Sequence, residues 1–215
     1  MRTIREHSLY LVTSREYYPG KTTLEVVESA ISGGVDILQM REKGMERTEL
    51  LELGTELSDI CRKAGVVFIV NDDPFLASEV GADGVHLGQE DIKKYQHGEV
   101  RNILGHNKII GVSTHSPEEF SRANTGDADY IAYGPVFPTK TKNYHVGTGK
   151  VKELLRVADK PVVLIGGIHT GNMETLLEQG AKNLAMIRSI VQAEDIASQV
   201  KAIKTVMDRY RKQQQ

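Results

Sequence analysis

Short apolar, β-branched runs recur along the chain, each followed by a stretch with helical spacing. The runs are SLYLVT (8–13), VDILQMR (35–41), VVFIV (66–70), DGVHL (83–87), KIIGVS (108–113), ADYIAYGPVF (128–137), PVVLIGG (161–167) and NLAMIRS (183–189). Runs with little polar alternation are what strands covered on both faces require. The spacing between them predicts helices at about 22–32, 46–64, 148–158, 171–179 and 193–209, with others opening in NDDPFLASEVG (71–81), QEDIKKY (89–95) and HSPEEF (115–120). In the last of these Ser116 reads as the cap, Pro117 as the first helical residue and Glu118 and Glu119 as the first-turn acids. Asp73 before Pro74 reads as a cap in the same way. Glycine recurs just ahead of the strands, in SGGVD (32–36), KAGVV (63–67), VGADG (80–84), TGDAD (125–129) and QGAKN (179–183), where a helix ends in a left-handed residue.

Eight strands and eight helical segments in 215 residues give about 27 residues per unit, within the roughly 25–30 that a barrel of 200–250 residues uses. The pattern predicts an α/β fold, a (β/α)8 TIM barrel forming one domain over 1–215. A doubly wound open sheet is the rival, but no GxGxxG follows the first strand.

Composition narrows the function classes. Lys+Arg total 27 against Asp+Glu 29, a net charge of −2, which is not the footprint of a nucleic-acid binder. The basic RYRKQQQ (209–215) reads as a frayed, solvated helix end. No apolar run reaches the ~20 residues of a membrane span, and MRTIREHSLYLVT lacks the apolar core of a secretory signal. The single cysteine, Cys61, lies within a helical pattern, reads as a small core residue and points to a reducing, cytoplasmic setting. Homo-oligomer formation is left open.

In such a barrel the C-terminal ends of the strands carry the chemistry, and the unusual polar residues fall there. Gln39, Arg41 and Lys43 share one face if the second strand stays extended, with Leu38 and Met40 on the other. The third strand ends in Asn71, Asp72 and Asp73, the fourth in HLGQED (86–91), the fifth in Ser113, Thr114 and His115. Asp72 and Asp91, at adjacent strand ends, are a candidate Mg2+ pair, although Asp91 also suits a helix cap. Arg41, Lys43 and Lys142 are cations for a metal-bound polyphosphate. Gly166 and Gly167 after the seventh strand, with the turn after the eighth, match the phosphate site common in these barrels, and Thr139 and Thr141 add hydroxyls. Two anion sites facing each other across the mouth suit a two-substrate transfer. His86 reads as a satisfied core histidine, and His115 as a residue that could line the pocket.

The segments QMREK, NDDPFLA, ADGVHLGQED, GVSTH, DYIAYGPVFPTKTK, IGGI and AMIRSI, in that order from Tyr10 to about Ile196, resemble the thiamine-phosphate synthase (thiamine phosphate pyrophosphorylase) family. The resemblance implies a Mg2+-dependent transferase of thiamine biosynthesis. It would join a hydroxymethylpyrimidine diphosphate to a hydroxyethylthiazole phosphate with release of pyrophosphate. Carried over by position, Gln39, Arg41, Lys43, Asn71, Ser113 and Lys142 would hold the pyrimidine diphosphate, with Met40 and Glu42 in the same segment. Asp72 and Asp91 would bind Mg2+. Thr139, Thr141, Gly167 and the Ile187–Arg188 backbone would hold the thiazole phosphate, with Lys140 a further substrate-binding residue. Arg41, Lys43, Ser113 and Lys142 would be the catalytic set. Arg188 departs from the small residue that members of this family often carry, and its side chain either swings outward or adds a cation to the thiazole phosphate. KNYHVG (142–147) fits a lid. Three rivals remain: a thiazole tautomerase paralogue, a non-catalytic barrel binding a phosphorylated ligand, and a sugar-phosphate isomerase or decarboxylase. Pro135 and the cations of the second strand count against the first, the paired acids against the second, and the cations opposite the phosphate loops against the third.

Overall fold

In the computed structural model, which describes residues 3–95, 98–140 and 142–213, eight parallel strands close into a barrel in chain order. They are β1 (Leu9–Val12), β2 (Ile37–Met40), β3 (Val67–Asn71), β4 (Gly84–Leu87), β5 (Ile109–Thr114), β6 (Tyr130–Tyr133), β7 (Val162–Ile165) and β8 (Asn183–Met186). The helices are α1 (Thr23–Gly33), α2 (Arg47–Ala64), α3 (Pro74–Glu79), α4 (Gln89–Ile92), α5 (Glu99–Leu104), α6 (Pro117–Thr125), α7 (Val151–Val157), α8 (Met173–Leu177), α9 (Arg188–Val191) and α10 (Ile196–Gln213), with a 3-10 turn at Arg15–Tyr17. The predicted barrel is therefore present. The segments after β4 and β8, expected as single helices, each divide in two.

The predicted caps form. Ser116 Oγ accepts from Glu119 N at 3.2 Å, and Asp73 Oδ1 from Leu76 N at 2.8 Å. A cap that was not predicted joins them: Thr22 and Glu25 make a reciprocal capping box at the start of α1. Cys61 is buried beneath α2. The C-terminal end is less frayed than expected. α10 runs to Gln213, with Arg209 on Glu174 at 3.1 Å and the Tyr210 hydroxyl on the same carboxylate at 2.8 Å, while Gln214 and Gln215 lie outside the described residues. No helix among the described residues is long and apolar enough to cross a membrane.

Strand alternation sorts the core into two clusters. One set of side chains, including Leu38, Met40, Phe68 and Val70, packs outward beneath the helices. The other, including Tyr10, Ile37, Ile69, Ile109, Tyr130 and Val163, fills the barrel interior.

The bottom of the barrel is held by a device that recurs on even strands. A parallel strand leaves its first N–H without a carbonyl where its neighbour has not yet begun. Asp36, Asp83 and Asp129, each just ahead of β2, β4 and β6, fill that gap. Leu9 N donates to Asp36 at 2.7 Å while Asp36 N donates to Leu9 O at 3.0 Å. Phe68 and Asp83 pair in the same way at 2.9 and 2.8 Å, and Ile110 and Asp129 at 2.7 Å in both directions. At β8 the residue is Asn183. Its amide accepts from Ser8 N at 3.0 Å and donates to Val162 O at 3.1 Å, bridging β7 to β1 where the barrel closes. The glycine signatures marked these places in the sequence; the carboxylates beside them carry the bonds.

Candidate active site

The other end of the barrel opens into a cavity of about 560 Å³. Of the residues expected at the site, Gln39, Arg41, Asn71, Ser113, Thr139, Lys142, Gly167, Ile187 and Arg188 line it. Gln39 and Asn71 point inward because they alternate with Leu38, Met40 and Val70. Arg41 follows β2 directly, and its Nη1 is buried with no hydrogen-bond partner among the described residues. A guanidinium nitrogen in that state is costly unless an anion meets it.

Beyond β6 the chain crosses the end of β7. Val136 N donates to Ile165 O at 2.9 Å and Phe137 N to Gly166 O at 3.0 Å. Gly166 and Gly167 have φ of +101° and +67°. A β-carbon at Gly166 would overlap Pro135, and one at Gly167 would press on Phe137 Cβ at 2.8 Å. The two glycines thus serve the close passage of this loop as well as leaving backbone open to the cavity. An antiparallel bridge between Thr139 and Lys142 folds the loop back on itself, placing both on the cavity wall. Val146 N then bonds Pro135 O at 2.8 Å.

Several expected residues are placed elsewhere. Met40 packs outward with the core beneath the helices, its Cε 3.2 Å from where a β-carbon on Gly54 of α2 would stand. Its side chain therefore cannot meet a ligand in the mouth. Glu42 is buried and turned away, accepting from Arg15 N at 2.8 Å and from the Tyr18 hydroxyl at 2.8 Å. It anchors the loop after β1 and pushes the Tyr18 phenol up, after burial itself. Lys43 is exposed and does not line the cavity: β2 ends at Met40 and the chain turns through Gly44 (φ +75°), so the shared face expected for 39, 41 and 43 is lost at its last member. Lys140 is exposed and off the wall. Thr141 lies outside the described residues.

Asp72 and Asp91 come together beside the cavity rather than on its wall. Asp72 adopts φ +64°, a conformation aspartate tolerates better than most residues. Asn71 Nδ2 donates to Asp72 Oδ2 at 2.5 Å and Gly88 N to Oδ1 at 3.3 Å. Burial, then the neighbouring Asp91 carboxylate and its hydrogen bond, push the Asp72 carboxyl up. Lys94 pairs with Asp91 at 2.6 Å. No group of three or more His, Cys, Asp or Glu side chains suited to a metal occurs among the described residues. The pair offers hard oxygen ligands only.

The floor holds residues that sequence reasoning did not assign to the site. Tyr10 and His86 line it, Tyr130 lies beneath, and the three are hydrogen-bonded in series. Burial, with a smaller push from His115, lowers the His86 pKa to about 4, so the ring is neutral near pH 7, a satisfied core histidine as expected. His115 lines the cavity, its Nδ1–H donating to Gly134 O at 2.6 Å, and Tyr144 meets it edge-on at 5.8 Å. Ser189 Oγ, on the wall at α9, is buried without a partner among the described residues. Arg188 is half-buried on the cavity wall with its guanidinium 5.9 Å from the Tyr17 ring centroid.

Comparison with known proteins identifies relatives over nearly the whole chain. Residues 9–190 match the family model described as thiamine monophosphate synthase. A thiamine-phosphate synthase of Shouchella clausii is 41% identical over 203 residues, covering 93% of this chain and 96% of that protein. One of Halalkalibacterium halodurans is 39% identical over 209 residues, covering 96% and 98%. Among solved structures, a thiamine phosphate pyrophosphorylase from Pyrococcus furiosus superposes with a TM-score of 0.86 at 32% identity, covering 95% of this chain and 96% of that one. The chain belongs to the thiamine monophosphate synthase family of enzymes.

Proposed function

We propose that this chain is a transferase that condenses 4-amino-2-methyl-5-hydroxymethylpyrimidine diphosphate with 4-methyl-5-(2-hydroxyethyl)thiazole phosphate, giving thiamine phosphate and pyrophosphate. Family membership supports the reaction class. The observation that carries the choice of substrate is the buried Arg41 Nη1, without a partner among the described residues, in a cavity that also bears Lys142. Arg41 and Lys142 face the diphosphate. Gln39, Asn71 and Ser113 hold the pyrimidine, since amides and hydroxyls both donate and accept. Thr139, Gly167 and the Ile187–Arg188 backbone receive the thiazole phosphate, and Arg188 adds a charge there.

The reaction breaks the bond between the methylene carbon and the diphosphate oxygen, and that electron pair leaves with pyrophosphate. The thiazole nitrogen lone pair forms the new carbon–nitrogen bond. The amino-substituted pyrimidine can delocalise positive charge, so departure runs ahead of bond formation. Arg41 and Lys142, fixed before the reaction, stabilise the charge growing on the leaving group. The opposite wall keeps the thiazole in line with the carbon.

The Asp72–Asp91 pair suits Mg2+. The Asp72 and Asp91 carboxyls, brought within hydrogen-bonding reach of each other, form a hard-oxygen set, and Mg2+ takes one or two carboxylates, with phosphate oxygens and waters completing its shell. Bound there, Mg2+ would neutralise negative charge on the leaving group. A single buried cysteine fits a reducing, cytoplasmic setting.

The test is incubation with both phosphorylated heterocycles and Mg2+, with detection of thiamine phosphate and pyrophosphate. Equal amounts of the two products are expected. Release of pyrophosphate without thiamine phosphate, or no turnover, overturns the proposal.

A further inference from the structure

Gln39 on β2 and Ser113 on β5 stand on well-separated parts of the mouth, yet one unbroken line of side chains joins them through the barrel interior. Gln39 Nε2 donates to the Tyr10 hydroxyl at 2.8 Å. The Tyr10 and Tyr130 hydroxyls are 2.9 Å apart. Tyr130 meets His86 Nδ1 at 2.8 Å, and His86 Nε2 meets Ser113 Oγ at 2.8 Å. Tyr10, Tyr130 and His86 are buried. Tyr130 is held over β5 by Gly111, where any side chain would overlap its phenol.

Each link carries one proton, so their directions are interdependent. Tyr10 accepts from Gln39, and its own proton must go to Tyr130, or it would be buried without an acceptor. By the same rule Tyr130 donates to His86 Nδ1. The neutral imidazole then carries its proton on Nε2 and donates to Ser113, which leaves the serine proton for the cavity. Gln39 is left presenting Oε1. Reversal needs all five groups to turn together.

We propose that this relay fixes the polarity of its two ends, an acceptor at Gln39 and a donor at Ser113, and that Tyr10, Tyr130 and His86 are positioning residues for a flat heterocycle held between them. Resting on the reaction proposed above, the fit is specific. A 4-aminopyrimidine has a donor in its amino group and an acceptor in the ring nitrogen across from it. The deaminated 4-oxo ring puts an acceptor where the amino donor was and meets the Gln39 oxygen with like polarity. The relay therefore selects the amino form of the substrate without touching it at Tyr130.

Nitrogen-15 NMR of histidine side chains, assigned with His86→Asn, reads the tautomer directly. The wild-type ring is expected to be protonated on Nε2; protonation on Nδ1 overturns the relay. Gln39→Glu, studied above about pH 8 so that the new carboxylate only accepts, reverses the line and moves the proton to Nδ1; an unmoved proton overturns it. In Tyr10→Phe/Gln39→Glu the link is cut and the proton returns to Nε2; its staying on Nδ1 overturns it. These measurements need no substrate, so they fail independently of the reaction. In steady-state kinetics Tyr130→Phe raises KM for the aminopyrimidine diphosphate roughly tenfold and changes that for the thiazole phosphate less than about twofold. An equal rise in both shows a structural role only and overturns the positioning assignment.

Discussion

Acidification tests the buried histidine most directly. His86 has an ordinary pKa of 6.5 that the fold lowers to about 4, chiefly by burial. Between those values the unfolded chain binds a proton that the folded chain refuses. Stability from this residue is therefore complete above pH 6.5 and is lost as pH falls toward 4. A shift of this size is worth about 3 kcal/mol when the window is fully crossed, and ~2.5 kcal/mol of it is gone by about pH 4.5. Other carboxylates titrate in the same range, so the measurement is a difference. Urea unfolding of the wild type and of His86→Gln is compared at about pH 7 and about pH 4.5. The wild type should lose ~2.5 kcal/mol more than the variant, which carries no titrating group at this position. Equal losses in the two proteins would refute the reasoning, as would an NMR titration of His86 with a midpoint near 6.5.

Other perturbations separate placement from chemistry. Asp72→Asn removes one of two repelling carboxylates, so the melting temperature should hold or rise while Mg2+-dependent turnover falls at least ~100-fold; turnover that survives in excess chelator would reject the metal assignment. Lys142→Ala should raise KM for the pyrimidine diphosphate more than for the thiazole phosphate, and the reverse order would mean that the two walls exchange roles. Glu42→Ala strips partners from Arg15 N and the Tyr18 hydroxyl and should cost ~2–3 kcal/mol in denaturant unfolding; KM values that rise with stability intact would return Glu42 to the binding set. Gly111→Ala drives a methyl into Tyr130 and should cost ~1–3 kcal/mol of stability in the same assay, with an unchanged midpoint as the contrary result.

What could be read in the sequence, and what could not, follows the range of the interactions. Strands, caps and the barrel were legible because β-branched runs, Ser116-Pro117 and Asp73-Pro74 act within a few residues. Barrel closure put Gln39, Asn71 and Ser113 at one end of the strands, and their grouping around one substrate came from the family resemblance. The face expected to be shared by residues 39, 41 and 43 stops short of Lys43, because it needed the strand to continue past Met40 and a turn at Gly44 ends it. Met40 and Glu42 entered the list through their neighbours, although alternation places Met40 outward. The Tyr10–Tyr130 contact spans 120 positions, and nothing local announces it. The aspartates ahead of the strands were not singled out in the sequence, because a carboxylate reaching back to the preceding strand has no signature until register is known.

Those aspartates divide the closed sheet unevenly. Asp36, Asp83 and Asp129 add side-chain locks from β1 to β2, β3 to β4 and β5 to β6, so within one continuously hydrogen-bonded barrel these strands form locked two-strand modules. A circular permutant whose new ends fall between modules, in the connection from β2 to β3 or from β4 to β5, keeps every lock within a short span of chain. One opened between β1 and β2 places the partners of Asp36 at opposite ends of the polypeptide. Permutants of the first kind should refold faster, and the gene is most safely cut and rejoined at every second strand.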